Sequence, residues 1–366
     1  MKGMFLSPFF FIKNVVKYNY IGIIVGEGEK MATIKEIAQL TGVSITTVSR
    51  VLNQDRNFVV SDETRLKIIQ TAERLNYITP ANRNLKLKNN KSRRKIGLVY
   101  WYTTNEEIND PYYLSIRLAI ENECKRNNIN LEVIHMTKDQ DANIENLKAD
   151  GVIALGKYSQ NFINRLYAKF NNVVIVDCPC KHYFVDTVTS DLAGAMEEIL
   201  DYYFCKDIKR VGFICGVEHT FDGEELLDIR LVAYKKEMYL RGAFNQNDVY
   251  LGKFTADSGY EIMSEIIKKD ELLDGYIVAS DSMAIGCLKA LNENNIRVPD
   301  VVSIISYNNT SLAQFTIPSL TSVNINTKLM GESAVDLLVE RFATGRQVAK
   351  KVTIPTNIVF RDSCVK

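Results

Sequence analysis

The sequence predicts an α/β protein in two parts: a three-helix helix-turn-helix head near the N-terminus, then a larger, two-lobed core of parallel sheets. Three observations predict it. Between Thr33 and Tyr77 apolar residues recur at helical spacing on either side of Gly42. After Lys95 short β-rich runs alternate with amphipathic helical stretches, the rhythm of parallel strands joined by crossover helices. Charge is divided along the chain. Net charge is +1 overall, yet residues 31–95 carry 13 Lys/Arg against 5 Asp/Glu, a net +8, while residues 96–366 carry 28 against 37, a net −9. Such a division suits a head that meets a polyanion and a body that the same polyanion repels.

At 366 residues and 46% hydrophobic composition the chain can bury more than one core. The expected division is a leader at 1–30, a helix-turn-helix domain at 31–79, a hinge at 80–95 and a core at 96–366. Seven cysteines at irregular spacings read as reduced thiols, which points to the cytoplasm rather than to a disulfide framework. Cys178-Pro179-Cys180 lacks the C-x-x-C spacing of a redox or metal pair, and His135, His182 and His219 are scattered, so no metal is expected.

Residues 1–30 contain an apolar run, Met4 to Ile12, interrupted by Ser7-Pro8 and followed by no small-residue cleavage site. Neither it nor Ile21 to Val25 approaches the roughly 20 residues needed to span a bilayer, so no membrane partner is expected. Gly26-Glu27-Gly28-Glu29-Lys30 corresponds to purine-rich codons directly ahead of Met31, as a translated ribosome-binding site would. The expectation is that Met31 is the native start.

In the head, Ile34, Ile37, Ala38 and Leu40 mark the first helix, with Thr33 and Glu36 spaced as a capping box. Gly42 supplies the turn, and Ser44 caps a second helix that carries Val48, Val51 and Leu52 inward. That leaves Ile45, Thr46, Thr47, Ser49, Arg50 and Asn53 outward, small, hydroxylated, amide and basic groups suited to a major groove. A third helix runs from Ser61 through Ile68, Ile69, Ala72 and Leu75 to Tyr77 and completes a compact basic unit. The alternative is a surface helix of an all-α cap with no nucleic-acid partner.

Ala38, Gly42, Val43-Ser44, Thr47-Val48-Ser49-Arg50, Asn53, Val60-Ser61, Thr64-Arg65 and Leu75-Asn76-Tyr77 together resemble the head of the lactose/galactose repressor family. The resemblance implies a transcriptional repressor that binds a pseudo-palindromic double-stranded operator as a homodimer. It implies that Ile45 and Thr46 choose operator bases, that Arg50 reads a base, and that Ser44, Thr47, Ser49 and Asn53 hold phosphate; Thr33, at the first helix start, joins the DNA-facing set. In Pro80 to Lys95, a basic linker by composition, the family forms a hinge helix with a leucine wedged into the minor groove. Counting from Pro80 gives Leu87, with Leu85 as a competing wedge. Pro80 stands three residues after Tyr77 where the family has two, and Asn84 replaces the usual alanine.

In the core the expected strands are Ile96-Tyr102, Leu131-Met136, Gly151-Leu155, Val173-Asp177, Arg210-Cys215, Val249-Phe254, Tyr276-Ser280 and Val302-Tyr307. Ligand sites of such sheets lie at the carboxyl ends of strands. Tyr100-Trp101-Tyr102 places aromatic faces there, with an aromatic core strand as the alternative. The family core is similar to periplasmic sugar-binding proteins, with three chain crossovers, expected here near Ser190-Asp191, Ser322-Val323 and Pro355. The resemblance implies ligand contacts at Trp101, at Arg230 in Arg230-Leu231-Val232-Ala233-Tyr234, at Asp281 in Ser280-Asp281-Ser282-Met283-Ala284-Ile285-Gly286, and at Asn308, where many members have aspartate.

No phosphate-binding loop, nucleophile elbow, zinc-protease helix or dinucleotide fingerprint occurs, so the sequence points away from an enzyme and a cofactor. Residues 110–117 and 306–312 resemble galactose-operon repressors of Gram-positive bacteria, which implies galactose or a galactoside as the inducing small molecule. A purine corepressor, also found in the family, is the alternative.

Overall fold

The computed structural model describes residues 33–52, 58, 60–75, 77, 93–102, 107, 111–136 and 141–365, which fall in two compact units, 1–91 and 92–366. The proposed leader, Asn53 and the hinge stretch that holds Leu85 and Leu87 lie outside the described residues.

In the first unit, α1 (Ile34–Thr41), α2 (Ile45–Leu52) and α3 (Asp62–Arg74) close around Ile37, Ala38, Val48, Val51, Ile68 and Ala72. Thr33 and Glu36 form the expected capping box: Glu36 N–H donates to Thr33 Oγ1 (3.3 Å) and Thr33 N–H to Glu36 Oε2 (2.7 Å). Gly42 ends α1 in the left-handed region at φ +74°, with its N–H donating to Ala38 O. Leu40, expected inward, is instead 53% exposed. The inner face of α1 runs Ile34, Ile37, Ala38, Thr41, the i, i+3, i+4, i+7 series, and Thr41 is admitted because its hydroxyl donates to Ile37 O (2.6 Å).

The second unit opens with β1 (Lys95–Tyr100), α4 (Pro111–Arg126), β2 (Asn130–His135), α5 (Asp141–Asn146), β3 (Gly151–Leu155), α6 (Gln160–Phe170), β4 (Val173–Val176) and β5 (Asp186–Ser190). The chain then crosses through α7 (Leu192–Cys205) to β6 (Val211–Gly216), a hairpin of β7 (Glu218–His219) and β8 (Glu225–Leu226), α8 (Ile229–Leu240), β9 (Val249–Gly252), α9 (Ala256–Lys268), β10 (Gly275–Val278), α10 (Asp281–Glu293), β11 (Ser303–Asn308) and β12 (Thr321–Asn324). It returns through α11 (Thr327–Thr344) to β13 (Lys351–Ile354) and crosses last to β14 (Asn357–Val359).

Two six-stranded sheets result, ordered β13-β5-β4-β3-β1-β2 and β14-β12-β11-β10-β6-β9. All pairs are parallel except β12 with β14, an antiparallel edge on the expected parallel pattern. The central strands β3, β4, β6 and β10 are buried along their whole length, as strands covered on both faces must be. The second crossover follows Asn324, next to the Ser322-Val323 pair near which it was expected. One hydrophobic cluster runs from Leu98 and Tyr100 of the first lobe to Phe213 and Ile305 of the second, and each lobe has a further core of its own. Among the described residues no helix is long and apolar enough to cross a membrane.

Candidate functional site

On the first unit, Ser44 caps α2, its Oγ accepting from Thr47 N–H (3.1 Å) and pairing with Thr47 Oγ1 (2.9 Å). With Val48 and Val51 buried, the opposite face presents Thr46 and Arg50 exposed, Thr47 and Ser49 partly so, and Ile45 with 47% of its surface open. The Arg50 guanidinium lies over the Phe58 ring, 5.3 Å from its centroid, which stiffens a long side chain without hiding it. An apolar side chain held open to solvent beside hydroxyls and a guanidinium suits a base edge and its flanking phosphates.

In the second unit the strand ends of the two lobes face each other. β1 hands Trp101 and Tyr102 to the rim, where Trp101 stands edge-on to Tyr113 with ring centroids 5.4 Å apart. Gly156, after β3, makes this possible: it sits at φ +121°, and any Cβ there would overlap the Trp101 side chain. Lys157 follows it, buried, with Nζ donating to Asp177 O (2.6 Å) and lying 3.1 Å from Asp177 Oδ2 and 3.5 Å from Glu218 Oε2. Tyr113 and Tyr112 hydroxyls donate to the two Asp177 oxygens at 2.6 and 3.2 Å. Burial alone would lower the Lys157 pKa, but the Asp177 and Glu218 carboxylates outweigh it and hold the ammonium above its ordinary value.

From the second lobe, Arg230 grips Asp228 with Nε at 2.9 Å and Nη2 at 2.7 Å, donates through Nη1 to Ala279 O (2.6 Å), and lies over Phe254 and Tyr307. Burial would raise the Asp228 pKa, yet the adjacent guanidinium brings it below the ordinary carboxylate value. Glu218, 3.7 Å from Arg230 Nη2, touches cations of both lobes. Asn308 closes the floor at φ +100°, its amide without a hydrogen-bond partner among the described residues. The space enclosed is about 50 Å³, well below the roughly 300 Å³ at which ligand pockets begin, so occupancy requires the lobes or these side chains to move. An aromatic face, a fork of donors, paired carboxylates and a free amide are the groups that recognise a polyhydroxylated ring.

Asp281 is a correction. Expected at the ligand, it is fully buried and its carboxylate points inward, accepting from Ser306 Oγ (2.5 Å), Ser322 Oγ (2.6 Å) and Thr310 N–H (2.6 Å). The residue that lines the cleft is its neighbour Ser280. The cause is local: the cleft-facing position is the cap of α10, while the first helical position turns back onto β11 and β12.

Comparison with known proteins sets these two regions in one context. Residues 33–80 match the lacI family of bacterial regulatory proteins, and residues 200–364 match a periplasmic binding protein-like domain. Over 336 residues, 91% of this chain and 99% of the relative, the sequence is 38% identical to the HTH-type transcriptional regulator GalR of Lacticaseibacillus casei. The chain belongs to the lacI family of bacterial regulatory proteins. It is also 35% identical over 344 residues to the HTH-type transcriptional repressor MelR of Bacillus subtilis, covering 91% of this chain and 98% of that one. In fold it is similar to a transcriptional regulator CelR–cellobiose complex (TM-score 0.66, 24% identity, 91% of this chain and 99% of that chain). It is likewise similar in fold to a lac repressor dimer bound to operator and an anti-inducer (TM-score 0.66, 21% identity, 92% and 100%). The lacI-family chain is thus a DNA-binding transcriptional repressor and not an enzyme. Of its cleft residues, sequence reasoning selected Trp101, Arg230 and Asn308 but missed Lys157, Asp177 and Glu218, although the first two stand at strand ends as Trp101 does.

Proposed function

We propose that this repressor acts in the cytoplasm as a homodimer on a pseudo-palindromic operator, and that galactose or a small galactoside bound between its lobes releases it. The supporting observation is the cleft itself, where the Trp101 face, the Arg230 fork and the unpartnered Asn308 amide converge. In the head, α2 would enter the major groove with Ile45 and Thr46 at base edges, Arg50 on a guanine, and Thr33, Ser44, Thr47 and Ser49 at phosphates. A ligand that separates Lys157 from Glu218 favours one lobe arrangement over the other by its differential affinity, and that difference is what reaches the head. No metal or cofactor takes part in this reading.

Asn308 gives the cleanest test, because Arg230 is locked to Asp228 and its removal would leave a buried carboxylate unpaired. Asn308→Ala removes uncharged hydrogen bonds worth about 0.5–1.5 kcal/mol each, so the galactose concentration that releases operator in a gel shift should rise about 3- to 10-fold per bond. Affinity for operator without sugar should be unchanged. Release of the variant at unaltered galactose concentration removes Asn308 from the site, and tightening by hypoxanthine with indifference to sugars establishes the purine corepressor instead.

A further inference from the structure

The cleft amide of Asn308 stands on strained backbone, and the groups that hold it there lie outside the cleft. β11 ends at Asn308, and Asn308 and Asn309 follow one another in the left-handed region at φ +100° and +47°. Asparagine enters this region more readily than most residues, but two in succession persist only where their surroundings over-determine them. Three anchors do so here. Asn309 N–H donates to Ser322 Oγ (2.9 Å), Thr310 N–H donates to Asp281 Oδ2 (2.6 Å), and the Asn309 side chain is bonded at both of its ends.

The side-chain anchor has a direction, and Arg361 sets it. Arg361, two residues beyond β14, donates through Nη2 to Asn309 Oδ1 (2.6 Å) and through Nη1 to Leu320 O (2.6 Å), while its own N–H donates to Thr321 Oγ1 (2.8 Å). A guanidinium donates and never accepts, so Asn309 must turn its carbonyl oxygen toward it and its amide nitrogen away. That nitrogen donates to Asn324 Oδ1 (3.1 Å), which leaves Asn324 Nδ2 to donate to Asn357 Oδ1 (3.1 Å). A row of amides alone runs equally well in either direction, because each offers both a donor and an acceptor. With Arg361 at one end, only one direction satisfies all three.

We propose that Arg361 is a positioning residue for the cleft ligand: by fixing the direction of the Asn309 amide it holds Asn308 in the conformation that brings its own amide to the cleft. The role rests on the reading of Asn308 as a ligand contact. Arg361 lies outside the cleft lining, so it acts on a ligand only through Asn309 and Asn308. Without it the Asn309 side chain is free to turn over and the two left-handed residues relax toward commoner conformations. A ligand must then order the Asn308 amide at its own expense, which lowers affinity. A residue acting only through Asn308 is worth no more to binding than Asn308 itself.

Calorimetry of the full chain with galactose, in a cycle of Arg361→Met, Asn308→Ala and the double variant, tests this role. Arg361→Met keeps the apolar stem and removes the side-chain donors. Its galactose affinity should fall by up to the loss of about 3- to 10-fold per bond expected of Asn308→Ala, and the double variant should bind no more weakly than Asn308→Ala alone. Arg361→Lys, which restores a donor, should recover affinity. Hydrogen exchange at the Asn309 and Thr310 amides, which needs no ligand, should quicken in Arg361→Met and slow again in Arg361→Lys. Should Arg361→Met not fold, as circular dichroism melts would show, Arg361→Gln carries the same expectations, since its amide accepts as well as donates and lifts the constraint on direction. Losses that add in the double variant, or unchanged exchange at the two amides, overturn the positioning role. Unaltered affinity in Asn308→Ala, or no binding of galactose to the unaltered chain, overturns the reading of the site on which the role rests, while the exchange rates still report whether Arg361 holds the loop.

Discussion

Several buried charges of the core occur as matched sets, and Asp186 shows how strongly such a set fixes a strand. The residue is fully buried on β5 and accepts from Arg341 Nε (2.7 Å) and Nη2 (2.9 Å), Arg346 Nη1 (2.9 Å) and Nη2 (2.8 Å), and Lys350 N–H (2.6 Å). Burial would raise its pKa, but the Arg341 and Arg346 guanidiniums and the Lys350 amide lower it to about 2. Because the folded value lies below the roughly 3.9 of an unfolded aspartate, the stabilisation is complete above about pH 4 and is lost as pH falls through 2. The difference amounts to about 2 kcal/mol. Asp186→Asn should therefore lower the urea midpoint of the core at pH 7, with the gap to the unaltered chain narrowing between pH 4 and pH 2; a gap independent of pH would show that the charge is not the stabilising element. At this scale the sequence was partly legible. Trp101 was found at a strand end, and Arg230, which lies on α8, and Asn308 were found through the resemblance to the lactose/galactose repressor family, whereas Lys157 and Asp177 were passed over because a lone Lys or Asp after an apolar run reads as a solvated terminus. Asp281 failed by one residue, which only the cap geometry of α10 decides.

Among elements, the eight strands read from apolar runs all exist, while β5 and β12 were invisible for one shared reason. Their sequences, Asp186-Thr187-Val188-Thr189-Ser190 and Thr321-Ser322-Val323-Asn324, are polar and buried, and they are admitted to the sheets by partners distant in sequence: Arg341 for Asp186, Asp281 for Ser322, Ser363 for Thr321 N–H. No local pattern announces such pairing. The β7–β8 hairpin was missed too, and it joins the lobes. Phe221 N–H donates to Lys157 O (3.0 Å), Ser159 Oγ donates to Asp222, and the Phe221 ring packs toward Phe162 of the first lobe. A hairpin rooted in the second lobe and seated on the first acts as a strap beside the Lys157–Glu218 contact. Phe221→Ala should cost about 2 kcal/mol of this seating, roughly half the figure for a fully buried phenylalanine. Its expected signatures are faster hydrogen exchange at the residue 221 amide and a red shift of emission from Trp101, the single tryptophan of the chain. Unchanged exchange and emission would mean the lobes hold together without the strap.

For the whole molecule the governing feature is charge placed by region, +8 on residues 31–95 and −9 on residues 96–366. Net charge near zero predicts little affinity for a polyanion, so any strong DNA binding must come from the head alone, with the body repelled. Two consequences are separable. Binding by phosphate contacts releases counterions, and operator affinity should fall by about 0.9 log unit per log unit of salt for each phosphate neutralised. The exposed basic and hydroxyl groups around α2 thus require a steep slope in gel shifts between about 50 and 200 mM salt, whereas a nearly flat response would exclude that face. The second consequence follows from how the cores are built. The clusters of both lobes draw only on residues after Lys95, and the head closes on its own cluster. A chain beginning at Ser92 should therefore unfold cooperatively and retain the sugar affinity of the full protein. Stripped of the basic region, it should bind DNA no more tightly than any acidic protein, and salt should then make no difference. A truncated core that fails to fold would show that the head stabilises the lobes, and one that folds yet keeps salt-sensitive operator binding would place the DNA surface on the body.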